Sequence, residues 1–532
     1  MSLTFLMIIV SSVKNYGGEI SLRVGIVGAG PSGLAAGMLL ASKGFQVSIY
    51  EKNTQIGGKC SVMNDQDGKF TFDLGPTYFI MPFVLEDIFW QCNKNLHNYV
   101  DLKLLEPFYQ IIYQDGSRLY PRRNYKRLKE NIHQFSSADV SGLDKFLDDN
   151  SKKYENLFYA LRAGYSNFKN LPKWNLISNF AHLKPFTNFW KDLEQYFEND
   201  KVKFGFTFQT KYVGRSFHKC PSLYSILSYL EYSMGVFHVM GGLNKLSKAM
   251  GKVIEELGGQ IYLNCEVKQI NTSDNQAKEI VLKDGSSKEL DEVICATNDL
   301  NHIMKLVNKS ERKKDLKVSS DVNYSYSKMV MYLGLSKTFY NLMHHSIIVP
   351  ENFWDTFEEL NKGEIPEDPI ISVQNPCVTD PSLAEGDRSV MQLSVAVPNL
   401  NTNINWNEIL IKKLQTKIIN CVEKHLEIKD IEKYIEFQDI KSPQDWYENF
   451  NSPYGACFGK ISNLKEILGI NVNNNLTFWN NLWITGSLAI SGNNLALTYE
   501  AGRSVAHEII KKYGIEPPEL VNPPVSHFQE ED

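Results

Sequence analysis

The sequence predicts an α/β fold in which a second domain interrupts a parallel sheet. Two apolar runs, at residues 24–27 and 47–50, flank a helix that begins near Pro31. A glycine turn joins the first run to this helix, and the acid Glu51 ends the second run. With 532 residues and 43% hydrophobic composition, the chain is long enough for two or three cores. A nucleotide-type domain with a second domain is therefore expected.

The glycine turn has the pattern of a dinucleotide site, Gly28-Ala29-Gly30-Pro31-Ser32-Gly33. Gly28 permits the tight turn, Gly30 lets the backbone approach a pyrophosphate, and Gly33 allows the helix to pack closely on the strand. The helix start at Pro31 and Ser32 offers free N–H groups to phosphates. Glu51 can accept hydrogen bonds from a ribose diol. This context predicts a Rossmann-type domain, and a glycine-rich turn without a ligand is the alternative.

Charge and cysteine content exclude several classes of function. The formal net charge is -5 and the basic residues are dispersed among acids, so no nucleic-acid partner is expected. The eight cysteines are scattered without a Cys-x-x-Cys pair, which is typical of reduced thiols and not of a metal site. We therefore expect no bound metal and a cytoplasmic location.

One apolar run near the N-terminus, residues 3–10, is too short to span a bilayer. It has no basic residue before it and no small-residue cleavage site after it, unlike a signal peptide. No other segment has about 18 uninterrupted apolar residues. We expect no membrane span, and peripheral attachment to a membrane surface remains open.

The order of helical and strand patterns predicts a discontinuous arrangement of domains. Dinucleotide-type segments are expected at residues 21–80, 236–300 and 446–513, and substrate-domain segments at 81–235 and 301–445. The 81–235 segment has helical periodicity and is expected to contain a helical insertion. Residues 1–20 form an N-terminal extension, and the proline-rich, acidic residues 514–532 are predicted to be disordered.

Individual elements follow from local patterns. Strands are predicted at 261–267, 292–297 and 482–487 for the first domain, and at 329–335 and 390–398 for the second. A hairpin is expected around Asp284 and Gly285, and a C-terminal helix from 497 to 512.

Several motifs, in order along nearly the whole chain, resemble those of the flavin-dependent phytoene desaturase family, which includes the bacterial carotenoid and diapocarotenoid desaturases. Glu51-Lys52 leads to Gly57-Gly58-Lys59, and Phe72-Asp73-Leu74-Gly75-Pro76-Thr77 follows. Residues 208–214, 221–224 and 235–242 are similar to the family segment that leads into a glycine pair. Residues 380–386 and 454–459 are similar to two later landmarks, although a proline usual before Asp380 is absent.

The resemblance implies a glutathione-reductase-like flavoprotein that binds FAD, with a discontinuous α+β substrate domain. It implies the following FAD-binding residues: Gly28, Gly30, Pro31, Ser32, Gly33, Glu51, Lys52, Gly58, Lys59, Gly75, Pro76, Thr77, Val267, Gly486 and Ser487.

One stretch departs from the family. Where the desaturases have Gly-Thr-His-Pro-Gly and then Ile-Pro-Gly, this chain has Leu488-Ala489-Ile490-Ser491-Gly492 and Leu495-Ala496-Leu497. The histidine and both prolines are missing. The resemblance therefore supports flavin binding more strongly than it supports desaturation.

The implied chemistry is transfer of a hydride from an activated C–H bond to FAD. The partner expected from the resemblance is a long apolar isoprenoid, which an apolar channel would hold by burial alone. Aromatic residues between 158 and 197 could line such a channel or touch a membrane, or they could be ordinary core residues. Three readings remain open: a carotenoid desaturase; a flavoenzyme of the same fold that isomerises, saturates or oxygenates, or that oxidises another apolar metabolite; and a non-catalytic isoprenoid-binding escort protein.

No acid–base residue stands out from the sequence. Glu231 lies among apolar residues and could assist proton loss, although a structural carboxylate is the simpler interpretation. His238 is interpreted as a core histidine, His344 and His345 as a loop pair, and Lys59 as an anchor for its loop or for phosphate.

Overall fold

The computed structural model describes residues 22–162, 187–213, 220–297, 300–307, 323–461, 479–486 and 494–518. Several expectations concern residues outside these ranges. They are the N-terminal extension, most aromatic side chains between 158 and 186, Ser487 with the altered loop at 488–492, and the tail beyond residue 518.

Strands in the described ranges are numbered in chain order. They are β1 (Arg23–Val27), β2 (Gln46–Tyr50), β3 (Val62–Asn64), β4 (Thr71–Asp73), β5 (Leu102–Leu104), β6 (Gln110–Ile112), β7 (Arg118–Leu119), β8 (Phe237–Val239), β9 (Gln260–Tyr262), β10 (Val267–Ser273), β11 (Gln276–Leu282), β12 (Ser287–Glu289), β13 (Glu292–Cys295), β14 (Ser327–Leu335), β15 (His345–Ile348), β16 (Ile371–Gln374), β17 (Ser389–Val397), β18 (Ile435–Lys441) and β19 (Leu482–Ile484).

Helices in the described ranges are numbered in the same way. They are α1 (Pro31–Ala41), α2 (Pro82–Gln91), α3 (Tyr125–Phe135), α4 (Asp139–Arg162), α5 (Phe189–Leu193), α6 (Asp200–Thr207), α7 (Ser225–Met234), α8 (Asn244–Glu256), α9 (Leu300–Leu306), α10 (Phe353–Lys362), α11 (Glu408–Leu426), α12 (Pro443–Phe450) and α13 (Leu495–Lys512). None of them combines the length and the apolar character that crossing a bilayer requires.

Three distant parts of the chain form one parallel sheet, with the strand order β19-β13-β1-β2-β9. Helices α1 and α13 pack so closely that a Cβ at Gly502 would lie 2.2 Å from the carbonyl oxygen of Ser32. The strands expected at 292–297 and 482–487 are members of this sheet, but they end earlier, at Cys295 and Ile484.

The strand predicted across 261–267 is wrong in its extent. β9 ends at Tyr262, and Val267 begins β10 in a separate antiparallel sheet with β11 and β12. Between them Asn264 has a φ of 55°, a left-handed conformation that asparagine tolerates better than most residues. The apolar run thus contains a turn, whereas the hairpin around Gly285 is confirmed.

A second, seven-stranded sheet has the order β18-β14-β17-β16-β15-β6-β7. Its two predicted strands, β14 and β17, pair antiparallel over nine residues. The short strands β6 and β7 come from the region that was expected to be helical, and β6 pairs in parallel with β15.

Alternation along β14 decides which side of this sheet meets the helices. Met329, Met331 and Leu333 share a buried apolar cluster with Leu414 and Ile418 of α11. Lys328 and Val330, at the alternate positions, lie on the opposite face, which is turned toward the parallel sheet.

Candidate active site

A cavity of about 480 Å³ lies between the two large sheets, within the range of small-molecule and cofactor sites. The residues at the carboxyl ends of β1, β2 and β13 form its first wall, namely Gly28, Glu51 and Ala296. In open α/β sheets, ligands bind at this edge of the strands.

The first glycine turn fits the roles expected of it. Gly28 has a φ of 104° and donates its N–H to the carbonyl oxygen of Tyr50 at 2.8 Å. A Cβ at Gly33 would lie 2.2 Å from the carbonyl oxygen of Gly28, so only glycine allows the helix to approach. A Cβ at Gly30 would meet no heavy atom within 4 Å, although Gly30 lines the cavity. The turn therefore keeps open space at the start of α1.

A second glycine turn closes on the first. Gly57 donates its N–H to the carbonyl oxygen of Ala29 at 2.8 Å, and a Cβ at Gly58 would lie 3.3 Å from the Cα of Gly30. Gly75 lies directly against this second turn, since a Cβ there would be 1.9 Å from the carbonyl oxygen of Lys59. The two turns and Gly75 thus surround one end of the cavity.

Glu51 is almost fully buried at the end of β2, with 5% of its surface exposed. Its carboxylate accepts hydrogen bonds from the backbone N–H groups of Ala29 at 2.8 Å and Asn53 at 3.0 Å. It therefore fixes the first glycine turn while its surface faces the cavity.

Twelve of the residues singled out from the sequence line this one cavity: Gly28, Gly30, Pro31, Ser32, Glu51, Lys52, Gly58, Lys59, Gly75, Pro76, Thr77 and Val267. Two others are described but do not line it. Gly33 packs α1 on the sheet, and Gly486 follows β19 with a φ of 100°. Ser487 lies outside the described residues.

The opposite wall was not found from the sequence. It includes Phe208 after α6, Phe357 and Leu360 on α10, and Lys328 and Ser394 on β14 and β17. Strand alternation separates the two faces of β14 and β17, but it does not say which face meets the cavity. That is decided by α11, a later segment of the chain that covers the other face. Of the aromatic residues between 158 and 197, those whose side chains are described are core residues that do not line the cavity: Phe189, Trp190, Tyr196 and Phe197.

Comparison with known proteins identifies the family. Residues 31–303 match the model of the flavin-containing amine oxidoreductases. The chain is 31% identical over 492 residues to a 4,4'-diapophytoene desaturase (4,4'-diapolycopene-forming) of Methylomonas sp, which covers 92% of this chain and 95% of that protein. The chain belongs to the carotenoid desaturase family. A 4,4'-diapophytoene desaturase (4,4'-diaponeurosporene-forming) of Staphylococcus aureus (strain bovine RF122 / ET3-1) is 27% identical over 498 residues, 92% of this chain and 99% of that protein.

Solved structures agree with the fold of this carotenoid desaturase family member. An oxidoreductase from Methanosarcina mazei aligns with a TM-score of 0.60 at 14% identity, over 91% of this chain and 99% of that one. Putrescine oxidase bound to putrescine aligns with a TM-score of 0.59 at 14% identity, over 92% of this chain and 100% of that one. The chain is an FAD-dependent oxidoreductase, and the open, glycine-lined cavity fits that cofactor.

Besides Lys52, two lysines line the cavity, Lys59 and Lys328. Lys59 donates a hydrogen bond to the carbonyl oxygen of Cys457 at 3.0 Å, and Lys328 places its ammonium 4.8 Å from the centre of the Phe458 ring. Within the described residues, no carboxylate lies within 4.0 Å of either ammonium. Burial lowers the pKa of both lysines, and each is close enough to Cys457 to interact with its thiol.

Glu231 is fully buried on α7 and does not line the cavity. Its carboxylate accepts hydrogen bonds from the Tyr109 hydroxyl at 2.8 Å and from Nε2 of Gln209 at 2.7 Å. This geometry supports a structural carboxylate, and the catalytic interpretation stays a prediction.

His238 belongs to a buried group that joins three of the sequence motifs. Its Nε2 shares a hydrogen bond of 2.9 Å with Asp380, which also accepts from the N–H of Gly241 at 2.6 Å. Burial alone would raise the pKa of Asp380, but hydrogen bonds from His238, Ser382 and Gly241 hold it at about 2. Burial raises the pKa of the neighbouring Asp73 to about 6, although the Leu243 N–H and His238 oppose the shift.

The interpretation of His344 and His345 as a loop pair holds for His344, which lies in the bend before β15, and is wrong for His345, which begins that strand. Both are buried, and His345 begins β15, where its ring stacks on that of Tyr78 with the centroids 4.2 Å apart. Burial moves the pKa of His344 well below its usual range, with nearby His238 acting in the same direction. No group of metal-ligating side chains is found in the described ranges.

Proposed function

We propose that this protein desaturates an acyclic isoprenoid of the 4,4'-diapophytoene class, with FAD as the hydride acceptor. The observation that carries the proposal is one continuous cavity whose two ends differ in chemistry. One end is formed by glycine turns and a helix start, and the other includes the apolar side chains of Phe208, Phe357 and Leu360. A cofactor and an apolar chain can therefore meet in one space.

The proposed placement of FAD follows from the glycine turns. The pyrophosphate would lie on Gly28, Gly30 and the start of α1, where Gly30 caps the helix without a side-chain hydrogen bond. Glu51 would accept from the ribose, Val267 would lie beside the adenine, and the turn from Gly75 to Thr77 would lie beside the flavin. We further propose that Gly33 and Gly486 support the site from behind the lining residues.

The substrate end of the cavity has little need of polar recognition, because a hydrocarbon offers no hydrogen-bonding atoms. Burying it contributes about 25 cal/mol per Å² of apolar surface removed from water. We propose that the enzyme collects such a substrate by peripheral contact with a membrane surface. The names of the relatives from Methylomonas and Staphylococcus aureus support the substrate class.

The test is anaerobic mixing of the purified, FAD-loaded protein with 4,4'-diapophytoene in liposomes. We expect the flavin absorbance to bleach and a longer conjugated polyene to form. A changed isomer profile without bleaching would instead establish an isomerase. Colourless protein that releases no flavin on denaturation would favour an escort protein of the same fold. Heat-denatured protein in the same liposomes is the control for spontaneous oxidation.

A further inference from the structure

We propose that Lys328 is the proton acceptor of the desaturation, which rests on the proposed function. Forming a double bond removes two hydrogens from adjacent carbons. One leaves with its electron pair to the bound FAD, and the other must leave as a proton to a base. In our assignment the proton moves to Nζ of Lys328, which changes from an amine to an ammonium ion, and the electrons balance without any further reactant.

The position of Lys328 supports this role. It lies on the cavity face of β14, and Val330 on the same strand and Ser394 on β17 line the same wall. Among the described residues, its ammonium has a cation–π contact with the Phe458 ring at 4.8 Å and lies near the Cys457 thiol. A cation–π contact contributes only about 0.5–2 kcal/mol, and burial lowers the pKa of Lys328.

The hydrogen bonding of the neighbouring Lys59 supports Lys328 as the neutral member of the pair. Lys59 donates to the carbonyl oxygen of Cys457 at 3.0 Å, and this bond stabilises its charged form. Two like charges close together disfavour one another, and Lys59 and Lys328 are near enough for their charges to interact. The hydrogen bond to Cys457 is the geometric reason to assign the retained proton to Lys59. A neutral amine also avoids placing a positive charge beside a carbon that is losing hydride.

The other titratable groups around Lys328 do not replace it. Burial raises the pKa of the Cys457 thiol, so the thiol stays protonated. Tyr326, on the same side of the strand, donates its hydroxyl to Asn361 at 2.7 Å. On the adjacent strand β18, Lys441 pairs with Asp439 at 2.7 Å. Glu231, the acid weighed from the sequence, does not line the cavity.

The first measurement needs no substrate. The FAD-loaded protein is labelled with trace acetic anhydride across pH, and the labelled lysines are quantified by peptide mass spectrometry. We expect Lys328 to react as a neutral amine at a lower pH than the exposed Lys413, its matched reference. Labelling of both lysines with the same pH dependence would overturn the proposal.

The second measurement uses variants. We expect Lys328→Met to lower kcat by about 100-fold or more, the usual contribution of a positioned base. The variant should also lose the acidic limb of the pH profile, which is the fall in kcat at low pH as the base becomes protonated. Lys59→Met should move that limb to higher pH, because the like charge is gone, while Lys59→Arg and Lys413→Met should leave it in place. Flavin content and circular dichroism verify folding of each variant.

The outcomes separate this proposal from the function on which it rests. If wild-type protein forms no polyene, the proposed function fails, whatever the labelling result. If wild-type protein is active and Lys328→Met keeps the acidic limb, Lys328 is not the base. A shifted flavin reduction potential in Lys328→Met, with an unchanged pH profile of kcat, would likewise overturn the assignment. Lys328 would then act on the charge of the flavin and not as the base.

Discussion

Gly30→Ala is the sharpest test of where FAD lies, because the added methyl meets no protein atom within 4 Å. The backbone at Gly30, with a φ of -75° and a ψ of 173°, suits any residue. The lower entropy of the unfolded chain stabilises the variant by about 0.4–1 kcal/mol. Alanine is a poorer helix cap than glycine by a similar amount, roughly 0.5 kcal/mol. The apoprotein should therefore keep its stability.

FAD affinity should fall in the same variant. A methyl group that projects into the space of a pyrophosphate costs about 1–3 kcal/mol, as overpacking does in cores, which corresponds to roughly a 5- to 150-fold higher Kd. Titration of the apoprotein with FAD, followed by flavin fluorescence, measures this change. Thermal unfolding without FAD measures the stability of the apoprotein.

Gly33→Ala is the matched control with the opposite pattern. Its Cβ would lie 2.2 Å from the carbonyl oxygen of Gly28, which is backbone and has no flexible side chain to move aside. We expect the apoprotein to lose about 1–3 kcal/mol or more. If Gly30→Ala binds FAD with wild-type affinity while the apoprotein stays folded, the pyrophosphate does not lie on this turn and our placement is wrong.

Three further predictions concern buried carboxylates. Glu51→Gln should raise the Kd for FAD at least tenfold, since a hydrogen bond to a charged group contributes about 1.5–3 kcal/mol; unchanged flavin occupancy would reject the ribose assignment. Glu231→Gln should cost about 1–3 kcal/mol of stability but keep the activity per bound flavin; a 100-fold loss of that activity in a stable variant would make Glu231 part of the chemistry. Asp380→Asn should cost about 2 kcal/mol at pH 7. The pKa of Asp380 is about 2 in the folded protein and is near 3.9 when unfolded. The difference in unfolding free energy between wild type and Asp380→Asn should therefore be largest above about pH 4 and shrink as the pH falls toward 2. Urea unfolding of both proteins measures this difference. A difference that does not change with pH would contradict the assignment.

The first glycine turn was predictable because its physics is local. A left-handed Gly28, a close helix at Gly33 and an acid after the next strand each follow from a few neighbouring residues. The turn at Asn264 was missed because an apolar run concealed a single left-handed residue. Asparagine in such a run was the available signal.

The second wall of the cavity was not predictable from the same reasoning. β6 pairs with β15 across more than two hundred residues, and no local pattern encodes that pairing. The strand predicted at 329–335 begins two residues earlier in the structure, so it includes Lys328. Whether Lys328 faces solvent or the cavity is decided by α11, which covers the other face of the sheet.

The buried group around His238 brings motifs that are far apart in the sequence into contact. Asp73, two residues before Gly75, accepts the N–H of Leu243 at 2.8 Å and so holds the start of α8. Asp380, from the loop between β16 and β17, holds Gly241 at 2.6 Å in the same turn. The Tyr332 hydroxyl of β14 donates to the carbonyl oxygen of Leu74 at 2.9 Å. The Asp380 and Tyr332 contacts join the parallel-sheet side to the seven-stranded sheet beside the turn that begins at Gly75. Since the cavity lies between these sheets, the motifs fix the distance between its walls, and a change in any one of them should alter cofactor and substrate binding together.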